Sequence, residues 1–547
     1  MNTKKDISIL WEKINTNAMS VKKKSLKKLF EEDKDRFKKF SIMTEDLLLD
    51  FSKENINQKS YEDLIDFAKT IGIKKSIKKL FNGEKINITE GQSALHTLLR
   101  YDSKNPLSEH TDEKKIKDVL TERNRMLLFS ENIRSGIYLS SVNKKYTDIL
   151  HIGVGGSSLG PKMVINALSP DADGPNVHFI SNLDGSNLSD VIENLSPSTT
   201  LIIIASKSFT THDTLINAKS AIQWLRDNGI KNIKNHIVAI TNSLSVAKAF
   251  GINEENIFKI WDWVGGRFSL WSSMGLPIAI AIGTEKFIKI LEGANEADDH
   301  FLNQPIEQNI PILMGLIAIW RRNIMNYSST CVVPYEHHLS LLPSYLQQLE
   351  MESNGKTLMW NNSISTLKTS PIIWGGTGTE VQHSFFQLMH QGTDVIPVDF
   401  LIGKNTRSKI KTHHNLLVSN CIAQSRAMAF GSSKKIIEKE LSEKSLSSEK
   451  FSELTKHMEV SGNKPSTTYM FDSLTPKVLG KLIAYFEHKV FVMGYIWNIN
   501  SFDQLGVELG KKLAQEINEI ITERNLLSHN LDSSSAGLIA NFKNKSS

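Results

Sequence analysis

A chain of 547 residues, 40% hydrophobic and 23% charged, has room for two to four domains with sizeable cores and is too apolar to be disordered throughout. Two cysteines, Cys331 and Cys421, exclude a disulfide scaffold and a zinc ribbon and fit a reducing compartment. The net charge of +6 excludes little by itself, because it is concentrated at one end.

Residues 1–90 hold 19 Lys and one Arg against 15 Asp and Glu, so most of the excess lies there. The opening stretch, MNTKKDISILWEK, has no uninterrupted apolar run, and no secretory signal is expected. Lys22, Lys23, Lys24, Lys27 and Lys28 lie on a helical pattern whose other face carries Leu26, Leu29 and Phe30. They read as the solvated side of an amphipathic helix. No aromatic or base-reading side chains are interleaved with them, so no nucleic-acid partner is expected. Residues 1–115 are expected to be a helical segment packed on a larger domain.

From 146 to 264, short β-rich runs alternate with helical stretches. The spacing predicts strands at 147–154, 176–181, 200–206, 236–241 and 257–261. The clearest helix between them is 213–226, where Leu215, Ile216, Ala218 and Ile222 recur. Leu201 to Ala205 is apolar without a break, as in a strand buried on both faces of a parallel sheet. This rhythm predicts a doubly wound, mainly parallel α/β domain at 116–288. The apolar stretches 268–284, which contains Pro277, and 310–320 fall short of the ~18–20 residues of a membrane span. The chain is therefore expected to be a soluble, cytoplasmic protein with no membrane partner.

A looser version of the rhythm fills a second α/β domain, 289–500. Strands are predicted at 371–374, 394–400 and 467–471, and helices at 381–390 and 416–431. Residues 432–463, rich in Ser, Lys and Glu, form a helical excursion, and 475–499 is apolar on nearly every side, as in a buried helix. Residues 501–547 are expected to be a last long helix followed, after Asn530, by a loose arm.

Six segments carry chemistry. Residues 153–161 (GVGGSSLGP) follow a strand and precede a helix, where glycines let backbone N–H groups approach an anion. Ser158 stands where a dinucleotide fingerprint needs its third Gly, and no Gly-Lys-Ser/Thr follows, so neither nucleotide motif applies. Residues 206–211 (SKSFTT) close the most buried strand with several hydroxyls and one ammonium, a set suited to a phosphate monoester rather than to a helix cap, which needs one hydroxyl. In 265–272 (GGRFSLWS), Arg267 sits after two glycines, where it either pairs with an internal carboxylate or faces negative charge on a substrate. The fourth segment is 347–356 (QQLEMESNGK), where composition alone makes Glu350 and Glu352 surface residues. The fifth is 375–393, with His383 and His390, and the sixth is 501–511, which opens the last long helix.

In this order, over nearly the whole chain, the six segments resemble the phosphoglucose isomerase family. Residues 87–100, from Asn87-Ile88-Thr89-Glu90 to Leu98-Leu99-Arg100, and 413–417 (HHNLL) resemble further patterns of that family. The resemblance implies two sugar-isomerase (SIS) type α/β domains and a homodimer. It also implies reversible conversion of glucose 6-phosphate to fructose 6-phosphate without metal or cofactor. By position, Ser206, Lys207, Ser208 and Thr211 would hold the phosphate, while Gly156 and Ser157 would line the sugar. Glu352 matches the base, Gln348 a substrate contact beside it, and Arg267 the arginine next to the enediolate. His383 matches the ring-opening histidine, which in the family reaches the partner subunit's active site. Lys511 matches the lysine near the ring oxygen and Gln504 a nearby ligand contact.

The chemistry fits such a set. One carboxylate can carry a proton between C1 and C2, and a fixed cation stabilises the enediolate between them. A separate acid–base pair, His383 and Lys511, opens the ring. Gln92, Ser158, Val381, Leu505 and Ile137 depart from the family, which has Arg, Asp, Gly, Trp and Trp there. None is assigned to proton transfer, so they bear on the pocket's shape and rate. Three rivals are a phosphoglucose/phosphomannose isomerase of the same superfamily, a catalytically silent sugar-phosphate-binding regulator on the same fold, and an extracellular signalling role of the kind some members of the family have, on which the sequence carries no signal. The full SKSFTT and QLEMESNGK motifs weigh against the first. The joint presence of Glu352, Arg267, His383 and Lys511 weighs against the second.

Overall fold

In the computed structural model, which describes residues 4–107, 109–432, 434–522 and 531–543, the rhythm of 146–264 folds into a five-stranded parallel sheet. To number all strands in chain order, an N-terminal pair comes first: β1 is Ser41–Met43 and β2 is Leu47–Lys53. The first sheet then holds β3 Asp148–Ile152, β4 Asn176–Ile180, β5 Thr200–Ala205, β6 Ile237–Thr241 and β7 Ile257–Lys259, in the order β4-β3-β5-β6-β7. Every residue of β5 and β6 is buried, as continuous apolar runs require when helices cover both faces. The helix His212–Asp227 packs Ala218, Ala221, Ile222 and Leu225 onto one of those faces.

The second sheet contains β8 Ser329–Tyr335, β9 Ile372–Gly375, β10 Val398–Gly403 and β11 Ser466–Phe471, all parallel to their neighbours in this set. Its order is β1-β2-β11-β10-β8-β9, with β2 antiparallel to β11 and β1 antiparallel to β2. Two expectations are corrected here, and one strand is added. The segment 1–115 is not wholly helical, because the alternation Leu47, Leu49, Phe51 makes a half-buried strand amid lysine-rich helices. Glu54 then ties that strand's end to the sheet, taking hydrogen bonds from Arg321 and from Thr467 on β11. The central strand β8 lies outside the predicted strands, and its Pro334 is a residue that central strands seldom hold. The structure accommodates it: β9 has ended by then, and the Pro334 carbonyl accepts instead from the N–H of Gly378. The helix predicted at 381–390 is a 3₁₀ turn, Glu380–His383, followed by a short helix, Phe386–Gln391.

The excursion at 432–463 consists of helices Lys434–Ser442 and Ser448–His457, closed by a bridge between Ser432 and Val460. The helix predicted at 475–499 is Pro476–Ile496, buried almost throughout. It packs beside Thr284–Asn303 and Ile310–Ile319. Among the described residues, no helix is long and apolar enough to cross a membrane. Residues 1–501 form one compact unit and 502–547 another. In the latter, helix Glu508–Thr522 is followed by Ser533–Lys543, so most of the stretch expected to be a loose arm is helical. Residues 1–3 of the stretch read for a secretory signal, and 544–547 of the expected arm, lie outside the described residues.

Candidate active site

In the order β4-β3-β5-β6-β7 the winding direction reverses between β3 and β5, and a ligand crevice forms at the carboxyl ends of strands at such a reversal. Two of the six segments lie there. Beyond β3 the chain makes a 3₁₀ turn, Gly155–Ser157, before helix Leu159–Ala167. His151, buried inside β3, bonds the Ser157 carbonyl through Nε2 at 2.8 Å, and burial pushes its pKa down to about 4, so it is a neutral donor.

Beyond β5, residues 206–211 lead into helix His212–Asp227. Thr211 is the N-cap, yet its hydroxyl caps nothing and pairs with Ser206 Oγ at 3.0 Å. Ser208 and Thr210 pair likewise at 2.6 Å. The turn runs through Phe209 at φ +55°, a region bulky residues avoid, and the buried ring anchors it edge-on to Phe250, 5.5 Å away. A cluster of hydroxyls at a helix N-terminus is therefore available to an anion. The Lys207 ammonium donates to the carbonyls of Asp262 and Val264 at 2.8 and 3.1 Å; burial lowers its pKa, opposed by Asp262 and Glu90.

The third segment meets the first by direct backbone contact. A Cβ on Gly156 would lie 2.2 Å from the carbonyl carbon of Gly266, so only glycine lets the two turns touch. Arg267 follows, with its side chain 1% exposed, and Glu352 Oε2 stands 3.4 Å from its Nη1. Arg267 Nε donates to Ser353 Oγ at 2.5 Å and Nη2 to the Ser501 carbonyl at 2.6 Å.

Glu352 ends a stretch of π-helix, Gln347–Glu352, which continues helix Leu342–Leu346. Such single-turn widenings occur often at functional sites, because they re-aim side chains without ending the helix. Here they separate two carboxylates. Glu350 turns inward and pairs with Lys489 at 2.8 Å, both buried, which corrects its reading as a surface residue. Glu352 keeps 24% of its side chain exposed, facing Arg267. Gln348 reaches the Gly-rich turn: a Cβ on Gly155 would lie 3.1 Å from its Nε2. Strand β9, which leads into the fifth segment, is tied to this turn as well, since the N–H of Ile373 points at Met351 Sδ, 3.4 Å away.

The structure thus brings together Gly156, Arg267, Gln348 and Glu352, with Ser157 in the same turn as Gly156. Ser206, Ser208 and Thr211 are at the end of the neighbouring strand. His383 ends the 3₁₀ turn after β9 with an exposed ring. Gln504 and Lys511 belong to the unit 502–547, where Lys511 is exposed and paired with Glu508 at 2.7 Å. Sequence reasoning passed over Ser353, Asn354 and Ser501 as site residues, although Ser353 and Asn354 stand inside the fourth segment and Ser501 opens the sixth. Among the described residues, no group of three or more His, Cys, Asp or Glu is placed to hold a metal ion.

A profile of the family described as phosphoglucose isomerase matches residues 50–539. A glucose-6-phosphate isomerase of Desulforapulum autotrophicum is 44% identical over 97% of this chain and 96% of that protein. The chain belongs to the phosphoglucose isomerase family. Another relative, the glucose-6-phosphate isomerase of Beijerinckia indica, is 43% identical over 94% of each chain. Among solved structures, a glucose-6-phosphate isomerase from Chlamydia trachomatis superposes with a TM-score of 0.82 at 29% identity, covering 97% of this chain and 98% of that one. The phosphoglucose isomerase fold, two doubly wound α/β layers with helical additions, is therefore the fold of this chain.

Proposed function

We propose that the cleft holding Glu352 and Arg267 is where this chain interconverts D-glucose 6-phosphate and D-fructose 6-phosphate, through ring opening and a cis-enediolate. The observation that carries the reading is the 3.4 Å approach of Glu352 Oε2 to Arg267 Nη1, beside a Gly-rich turn and a hydroxyl-rich loop. Glu352, partly exposed, takes the proton from C2 or C1 and returns it to the other carbon. As the carboxylate loses its charge, negative charge develops on the substrate oxygens, and the guanidinium already in place stabilises it. Ser206, Ser208 and Thr211 donate to the phosphate. Lys207 exchanges a carbonyl partner for a phosphate oxygen. Gly156, Ser157, Gln348 and Gln504 contact the sugar, and His383 and Lys511 open its ring.

The assembly is a homodimer in which His383 serves the partner's cleft. Its exposure supports this, as do exposed Leu388, Leu416 and Ile422 on the two helices after it, which are joined by His390 and Gln424 at 2.8 Å. Cytoplasmic location is supported by two buried, unpaired cysteine thiols. The division into 1–115, 116–288, 289–500 and 501–547 is supported by the sheets falling within the second and third segments, although β1 and β2 extend the sheet of the third.

A coupled assay of fructose 6-phosphate conversion, with and without a chelator, tests the activity. Turnover unaffected by the chelator is expected, since one carboxylate and one cation suffice for the proton shift; no turnover with the purified protein would refute it.

A further inference from the structure

Ser353 and Asn354, the two residues after Glu352, are both fully buried, and so, nearly, is Ser501 far along the chain. Together with Arg267 they close a ring. Arg267 Nε donates to Ser353 Oγ at 2.5 Å, and Arg267 Nη2 donates to the Ser501 carbonyl at 2.6 Å. Ser501 Oγ donates to Asn354 Oδ1 at 2.6 Å, and the peptide bond from Ser353 to Asn354 completes the circuit. The ring is fixed to the core, because Asn354 Nδ2 donates to the carbonyl of Val490 in the buried helix Pro476–Ile496 at 3.0 Å.

That helix makes room for the ring. A Cβ on Gly494 would stand 1.8 Å from Ser501 Oγ and 3.0 Å from Asn354 Oδ1. One turn of the same helix earlier, Lys489 holds Glu350 on the inner side of the π-helical turn. The peptide that carries Glu352 is thus held from both sides, and the guanidinium it faces is held through its Nε and Nη2.

We infer that Asn354, Ser353 and Ser501 are positioning residues for the isomerisation, which fix the plane of the Arg267 guanidinium so that its Nη1 edge faces the Glu352 carboxylate. The inference rests on the reading of Arg267 as the cation beside the enediolate. A cation that must reorient as charge develops stabilises the transition state far less than one already in place. A displacement of about 1 Å in such a group slows a reaction roughly 10²-fold. Binding of the ground-state sugar phosphate, anchored at the hydroxyl-rich loop, is not changed by it.

The test is a pair of double-mutant cycles. Ser353→Ala and Asn354→Ala are each made in the wild-type chain and in an Arg267→Lys chain, with kcat and KM for fructose 6-phosphate measured at enzyme concentrations high enough to read the slowest of them. In the wild-type background, kcat falls at least about tenfold while KM stays within about twofold. In the Arg267→Lys background the same changes alter kcat by less than about twofold, because the group they orient is gone. Equal losses in both backgrounds, or KM rising in step with the fall in kcat, would mean a merely structural ring and would overturn the inference. Should Asn354→Ala not fold, Ser353→Ala, which removes a single oxygen, decides alone. Wild-type kcat in Arg267→Lys by itself would instead sink the reading of Arg267 on which the inference stands.

Discussion

At the scale of single residues, the two glutamates of the π-helical turn show how backbone geometry divides roles between identical side chains. Glu350 is buried against Lys489 and closed to substrate, whereas Glu352 is partly exposed beside Arg267. Glu352→Gln is isosteric, keeps a partner for Arg267 and cannot accept a proton. It should retain the fold and substrate binding and lose roughly 10²–10⁴-fold in kcat; retention of more than about a tenth of wild-type turnover would exclude Glu352 as the base. The proposed phosphate loop gives a second expectation. Lys207→Ala combined with Thr211→Ala removes a hydroxyl and an ammonium, and one charge-assisted hydrogen bond alone contributes ~1.5–3 kcal/mol. Affinity for 6-phosphogluconate, read by titration calorimetry, should fall at least about tenfold, and an unchanged affinity places the phosphate elsewhere.

Among secondary elements, the site depends on turns meeting rather than on any one helix or strand. The turn after β3 and the 3₁₀ turn Gly266–Phe268 touch through glycine, and the π-helical turn reaches them through Gln348. Gly156→Ala forces a Cβ into the Gly266 backbone, which cannot rotate aside as a flexible side chain would. It should lower stability by about 1–3 kcal/mol, the range for overpacking. It should also cut kcat/KM at a temperature where the fold persists, because separating the turns moves Arg267 away from the Gly-rich turn. A variant with wild-type kcat/KM would show that the contact is structural only.

For the molecule as a whole, assembly and acid stability each give a measurable expectation. If His383 serves the partner's cleft, inactive Glu352→Gln and His383→Ala subunits should complement when refolded together, since each mixed dimer has one intact site under two-fold symmetry. Random pairing at equal amounts makes about half the dimers mixed, so roughly a quarter of wild-type activity should return. If His383 acts within its own chain, none returns. The pH dependence follows from two buried histidines. Burial pushes His110 and His151 down to about 4, whereas an unfolded histidine titrates near ~6.5. Between these values the unfolded chain binds protons that the folded chain refuses. Their contribution is therefore fully present above about pH 6.5 and is lost as the pH falls toward about 4, by up to ~1.4 kcal/mol per pH unit for each group, and buried Glu487, pushed up to about 7, opposes it in part. Melting temperatures recorded from about pH 8 downward check this; a flat profile between about pH 6.5 and 4 would contradict it.

The sequence by itself determined the first sheet and named most of the residues of the proposed site. The unbroken apolar run of β5 and the hydroxyl-rich SKSFTT that ends it are local signals: period and composition within a few residues give the buried strand and the proposed phosphate loop. Family resemblance then attached Glu352, Arg267 and His383 to the same reaction. Three things were decided only by tertiary structure. Strand β8 lies outside the predicted strands, and Pro334 fits a central strand only because β9 ends before that position. Strands β1 and β2 were hidden because their alternation is short and lies among lysine-rich helices, and only pairing with β11 makes them part of a sheet. Ser353, Asn354 and Ser501 carry no chemical signature of their own. Their role comes from a ring that joins residues more than two hundred positions apart, from Arg267 to Ser501, and such long-range hydrogen bonds leave no trace in local spacing.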